Sequence, residues 1–299
     1  MQATGARRTV ARCRGRGIIL AALLIAAVGA AGGCAMPIRT DTPPEGPPPG
    51  TIIDGRTGAV VGLEALLRDA RTARVLFIGE QHTSAAHHAV QLKVIEALHR
   101  GGASIALGLE MFDRSYQPVL DLWSAGRLDE EAFLRRTHWY ANWRFDYGLY
   151  REILDFARRE RIPVFGLNLP FHLPPKIRVG GIEHLPDHEK QFLPREIDTG
   201  VSAHREYVEK IFAQHGFKNT RFEDFYLAQC AWDEAMAEAA AAVSADLLVI
   251  LAGNGHIQYR YGIPERLHRR NSLPYRTIYL ATAGAPIDPA IADFIWVTD

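Results

Sequence analysis

"VLFIGEQHTSAAHHAVQL", residues 75–92, changes its period halfway along. Val75 to Gly79 is a continuous apolar run of strand length, and the apolar residues beyond Ser84 recur at helical spacing. Glu80 and His82 stand where the strand pattern runs out, and His87 and His88 follow in the first turn of the helix. Strand, polar turn and helix make the first half of a βαβ unit, which is the reading the rest of the chain must match.

It does match. Four more continuous apolar runs follow: "SIALGLE" (104–110), "IPVFGL" (162–167), "DLLVILAG" (246–253) and "YRTIYLAT" (275–282). Continuous runs suit strands buried on both faces. Helical patterns lie between them, at roughly 84–100, 147–160, 204–214 and 222–243. The alternation predicts an α/β fold with a mainly parallel central sheet flanked by helices. "TIIDGRTGAVV" (51–61) reads as an added hairpin and "FIWVT" (294–298) as a last strand. Residues 168–203 are rich in Pro and Gly and read as a long excursion with one short helix near Asp187 to Phe192.

Chemistry collects where strands end. "RVLFIG" leads into Glu80 and His82, "SIALGL" into Glu110, "IPVFGL" into Asn168 and "DLLVILAGNG" into His256. In a parallel sheet all these carboxyl ends share one edge, where ligands bind. The edge therefore holds the candidate site. His and carboxylate together suit a divalent metal held by His82, His256 and Glu80, or acid–base catalysis by Glu80, His82, Glu110 and His256. Thr83 or Ser84 would cap the following helix. Its positive end disfavours imidazolium, keeping His87 or His88 neutral and able to contact a cofactor, and it would also hold a propionate or other anion. Each has a plainer reading: a His near a helix start satisfies a loop carbonyl, Glu110 caps a helix, and Asn168 shapes the turn before Leu169-Pro170.

Aromatic residues make a second feature. Residues 137–154 carry Trp139, Tyr140, Trp143, Phe145, Tyr147 and Tyr150. Residues 222–240 place Phe222, Phe225, Tyr226, Gln229, Trp232, Asp233 and Met236 three and four apart, on one helix face. Most such aromatics pack a core. Gln229 and Asp233, one turn apart, either reach the site edge or solvate the helix. A flat apolar cofactor wants aromatic walls, and a Tyr oxygen ligates ferric haem. No C-x-x-C-H occurs, so any haem is not covalently attached.

The N-terminus reads as a targeting segment. Arg7, Arg8, Arg12, Arg14 and Arg16 precede an apolar run of 14 residues, Ile18 to Ala31, and "AGGC" closes it at Cys34. This is the form of a bacterial lipoprotein signal over residues 1–34, with Cys34 carrying acyl chains such as palmitate. No Asp follows Cys34. By the sorting habit of Gram-negative lipoproteins this predicts a lipid-anchored protein of the outer membrane facing the periplasm. Residues 35–50 form a tether, with five Pro and two Gly within 43–50. Residues 51–299 then suffice for a single domain. Loss of the signal takes five of the 34 basic residues, leaving 29 against 34 acidic ones. A mildly acidic chain without a basic stripe excludes a nucleic-acid partner. Cys230 is left alone, so no disulfide framework is expected.

"GEQHTSAAHH", "LGLEMF", "GLNLP", "AQCAWDEAMA" and "LAGNGHIQYRYGIPERL", in that order, resemble the blocks of the ChaN family across residues 51–299. The resemblance implies a haem-binding lipoprotein of iron and haem uptake, with haem sandwiched between two subunits, hence a homodimer, and iron held by Tyr. Tyr140, Tyr147, Tyr150 and Tyr226 are the candidates. The wider group includes the TraB/Tiki proteins and the erythromycin esterases, among them metal-dependent hydrolases that use a similar Glu/His edge. Glu80, His82, Glu110 and His256 match that edge, so the alternative is a hydrolase at the envelope.

Overall fold

The computed structural model describes residues 46–215 and 220–299. The signal, Cys34 and the tether up to residue 45 lie outside the described residues. Among the described residues no helix is long and apolar enough to cross a membrane.

The apolar runs become strands of one sheet. In chain order they are β1 (Ile52–Asp54), β2 (Val60–Val61), β3 (Val75–Glu80), β4 (Ile105–Asp113), β5 (Val164–Asn168), β6 (Leu247–Gly253), β7 (Tyr275–Thr282) and β8 (Phe294–Thr298). The spatial order is β2-β1-β8-β7-β3-β6-β4-β5. The pairings from β8 across to β5 are all parallel, while β1 runs antiparallel to both β8 and β2. The mainly parallel sheet and the added hairpin are thus both present. β3, β4 and β6 are buried along their whole length, which explains their unbroken apolar sequence.

The helices are α1 (Leu63–Ala70), α2 (Ala85–Arg100), α3 (Gln117–Ser124), α4 (Glu130–Thr137), α5 (Trp139–Asn142), α6 (Arg151–Arg159), α7 (Leu173–Gly180), α8 (Asp187–Lys190), α9 (Ser202–His215), α10 (Phe222–Ala241) and α11 (Ile263–Asn271). One sheet face buries Leu76, Ile78, Leu107 and Val249 under α2, α3 and α6. The other buries Phe77, Ala106 and Ile250 under α10 and α11. Each fully buried Leu, Ile, Val or Phe among these stabilises the fold by about 1.5–3 kcal/mol relative to exposure.

The excursion at 168–203 differs from expectation, since it holds two helices, α7 and α8. Pro174 and Pro175 sit in the first turn of α7, where no intrahelical N–H is required, so they start this helix instead of breaking it. Leu173 and Ile177 then pack against Ala228, Ala231 and Ala235 of α10.

Candidate functional site

Strand alternation places Leu76, Ile78 and Glu80 of β3 on the α2/α6 face, and Ala106 and Glu110 of β4 on the α10/α11 face. β6 runs between them, with Glu80 level with Gly253 and Leu109 level with Leu251. The two carboxylates therefore reach the carboxyl end of β6 from opposite faces of the sheet. Gly253 makes room there. A Cβ on it would lie 3.0 Å from His82 Cε1 and 3.2 Å from His82 Nε2, so the absent side chain lets the imidazole rest on the strand end.

Glu80 is held from three directions. Its Oε1 accepts from His82 Nδ1 at 2.9 Å and from the Tyr150 hydroxyl at 2.7 Å. Its Oε2 accepts from Gln91 Nε2 at 2.9 Å. His82 is the accessible member, with 28% of its side chain exposed. Trp143 and Phe145 clasp its ring, each with its centroid 4.8 Å away. With Nδ1 on Glu80, Nε2 of His82 has no partner among the described residues.

Glu110 and His256 form the second half. Glu110 Oε2 accepts the Gly253 N–H at 2.6 Å, and its Oε1 stands 3.4 Å from His256 Nε2. On the other side of the ring, His256 Nδ1 donates to Asp233 Oδ1 at 2.5 Å. Gln229 donates to Asp233 Oδ2 at 3.4 Å and lies 3.1 Å from His256 Nδ1. Gln229 and Asp233 thus reach the site edge instead of solvating α10. Behind them buried His204 stands 3.7 Å from Asp233 and 3.4 Å from Arg266.

Charge follows from this pairing. Burial opposes the His256 cation, but Glu110 and Asp233 outweigh it and push the pKa up to about 10. Burial likewise opposes the Glu110 anion, but His256 and His82 outweigh it and bring that pKa down to about 2. For His82 burial again pulls down, while Glu110 and Glu80 win and raise it. His87 goes the other way, lowered to about 4 by burial and by neighbouring His88. His256 and Glu110 therefore face each other as imidazolium and carboxylate at neutral pH, and the His82 ring is the group a ligand can meet.

Several expected residues serve structure. His87 Nδ1 accepts the Gln81 N–H at 2.8 Å, and Ser84 caps α2 by accepting the His87 N–H. His88 donates to Gln91 at 3.2 Å and packs on Tyr150. Asn168 is fully buried, donating to the Glu110 carbonyl at 2.8 Å and accepting from its neighbour's N–H. These bonds satisfy buried polar groups, the plainer of the two readings, although His87 Nε2 is buried without a hydrogen-bond partner among the described residues. Of the four Tyr, Tyr147, Tyr150 and Tyr226 are core residues at 1–2% exposure, whereas Tyr140 is 59% exposed on α5. Gln91, Gly253 and His204 were missed by the sequence reading. A Gln among the apolar positions of α2 is the one legible signal, since a lone polar residue on a buried face needs a partner.

A site for a divalent metal on Glu80, His82 and His256 is not found. Among the described residues no three His, Cys, Asp or Glu side chains are grouped to hold a metal ion. In this arrangement His256 faces carboxylates with both ring nitrogens and His82 gives Nδ1 to Glu80.

Beside this edge lies a cavity of about 480 Å³ between α5, α7 and α10. Phe171, Pro174, Pro175, Phe225 and Trp232 give it apolar walls, Arg144 and Arg178 give it cations, and His172 adds an imidazole. Gln229 belongs to both places, lining the cavity while contacting the His256–Asp233 pair. Trp143 links them on the other side, with Phe171 at 5.8 Å and His82 at 4.8 Å between ring centroids.

Among solved structures, one titled "Cofacial heme binding to ChaN of Campylobacter jejuni" has 19% identity and a TM-score of 0.67, covering 82% of this chain and 95% of that one. At that identity the likeness shows the shared fold. The type III effector HopBA1 (16% identity, 79% and 92% covered, TM-score 0.44) and an open erythromycin esterase EreC (13%, 78% and 76%, TM-score 0.45) are more distant. No curated protein matches the chain. The family model described as "Haem-binding uptake, Tiki superfamily, ChaN" matches residues 66–267, about two thirds of the sequence. By that match the chain belongs to the ChaN family of haem-binding uptake proteins in the Tiki superfamily.

Proposed function

We propose that the protein is an envelope lipoprotein that binds haem in the cavity between α5, α7 and α10 and serves haem uptake. The observation that carries this is the cavity itself. At about 480 Å³ it falls within the roughly 300–1,000 Å³ of small-molecule sites, and its aromatic walls and cationic rim suit a flat apolar ring with acidic edges. A candidate ferric iron ligand stands nearby: Tyr140 adjoins the lining residue Ala141, is 59% exposed, and carries the donor type that suits ferric haem. Anchoring rests on the Cys34 signal, and a haem shared between two copies of the chain fits a ligand Tyr that projects from the surface. Haemin titrated into the full chain should give a Soret shift that saturates at a fixed stoichiometry; a linear, unsaturable response would sink this reading. Cys34→Ala should release the protein from the membrane fraction and abolish palmitate labelling.

A second reading is supported by the geometry of the edge, an enzyme that hydrolyses an ester or amide. Glu80 fixes the partly exposed His82 ring through Nδ1 and leaves Nε2 without a partner among the described residues, the arrangement of a general acid–base group oriented by a carboxylate. Glu110, backed by His256 and Asp233, supplies a fixed negative charge beside it. Under this reading p-nitrophenyl ester hydrolysis by the full chain disappears in His82→Ala. Activity that survives that change excludes it.

A further inference from the structure

We infer that Arg144 is the carboxylate anchor of the cavity, and that the cavity selects planar aromatic macrocycles by their acidic side chains, with or without iron. This deepens the haem reading and rests on it.

The rim carries two guanidinium groups and an imidazole. His172 lies 3.3 Å from Glu189, which also takes Lys176, and Arg178 is already engaged. Arg144 has no acidic or aromatic partner among the described residues, although it lines the cavity. Its backbone is unusual as well. Its φ is +69°, in the left-handed region that Gly or Asn enters far more readily than Arg. The flanking residues show what the turn achieves. Trp143 and Phe145 both close on the His82 ring, while Arg144 between them stays exposed on the cavity wall. A bulky cation kept in a conformation glycine prefers, beside aromatic walls and without an internal counter-charge, points to an external anion.

The chemistry of the occupant follows. Phe171 and Trp232 offer ring faces, and a guanidinium grips a carboxylate through two parallel N–H donors. The two features together select a flat apolar body with an acid at its edge. Iron contributes through a separate ligand, so its removal leaves this recognition in place. The first turn of α2 is not among the residues that line the cavity, so the anion site anticipated there is not the anchor.

The test uses the full chain in a mild detergent and reads tryptophan quenching by iron-free protoporphyrin IX and by its dimethyl ester. The free acid should bind about tenfold more tightly than the ester, the size of one charge-assisted contact. Arg144→Gly keeps the left-handed turn without strain, so it removes the side chain and not the fold; it should bring acid and ester to parity. Arg144→Lys should restore part of the preference. Equal binding of acid and ester by the unaltered chain, or an unchanged preference in Arg144→Gly, overturns the anchor while a saturable haemin titration keeps the haem reading. A chain that binds neither haemin nor porphyrin overturns both.

Discussion

Asp233 Oδ1 stands 2.5 Å from Nδ1 of His256, and the opposite nitrogen of the same ring faces Glu110 at 3.4 Å. One imidazole thus joins the helix on one sheet face to the strand end that carries Glu110. The ring cannot turn without breaking a buried charge-assisted bond, so Gln229 and the cavity beyond it rest on a fixed base.

Asp233→Asn tests that bond. His256 has a folded pKa of about 10 against 6.5 unfolded, so its contribution is complete below about pH 6.5 and is lost as pH rises through about 10. The substitution should cost about 3–5 kcal/mol near pH 6, as expected when one partner of a buried pair is removed. The cost should shrink above pH 10, where the ring is neutral in both proteins. Urea unfolding at the two pH values reads the difference, and an equal deficit at both would assign the effect to packing.

Glu110 has the opposite sign. Its pKa falls from 4.5 to about 2 on folding, so its contribution is present above about pH 4.5 and is lost as pH drops through about 2. Glu110→Gln should therefore be less stable than the unaltered chain at pH 5.5, and the gap should close toward pH 2. Other paired carboxylates titrate in the same range, so the difference between the two proteins is the quantity to follow.

The strands were legible because burial on both faces leaves an unbroken apolar run, and "VLFIG" can hardly be anything else between its flanks. Glu80, His82, Glu110 and His256 were legible because a parallel sheet brings such ends to one edge. Of the short helices, α8 was and three others were not. α3, α7 and α11 each carry Pro in their first turn, and eight or nine residues hold too few repeats of the helical period to stand out. Tertiary direction was also hidden. Asp233 and Tyr226 occupy one helix, yet one turns to His256 and the other to the Val201 carbonyl, and only packing decides which. Gly253 gave no sign, because its role is the space it leaves for a ring 171 positions earlier in the chain.

Gly253→Ala would fill that space. The backbone there, φ −54° and ψ 142°, accepts alanine, so the whole effect should come from the new methyl pressing on His82. The expected cost is about 1–3 kcal/mol, and the His82 pKa should fall as the ring leaves Glu80 and Glu110. NMR titration of the His82 ring measures this. In the double variant with His82→Ala the methyl should add no further cost. A cost that persists there means the pressure falls on some group other than the imidazole.

Tyr140→Phe tests Tyr140 as the proposed haem ligand against the other three Tyr. Tyr150 spends its hydroxyl on Glu80, Tyr226 on the Val201 carbonyl, and Tyr147 is sealed at 1% exposure, so none can reach an iron without unfolding its surroundings. Tyr140 carries no such duty. Loss of its hydroxyl should leave the stability within the about ±0.5 kcal/mol typical of surface changes. It should abolish the tyrosinate-to-iron charge-transfer band of the haemin complex and weaken haemin binding. Porphyrin without iron should bind as before, since the ring walls and Arg144 are untouched. If Tyr140→Phe retains the band, the iron takes its ligand elsewhere, and α5 is a wall of the cavity and nothing more.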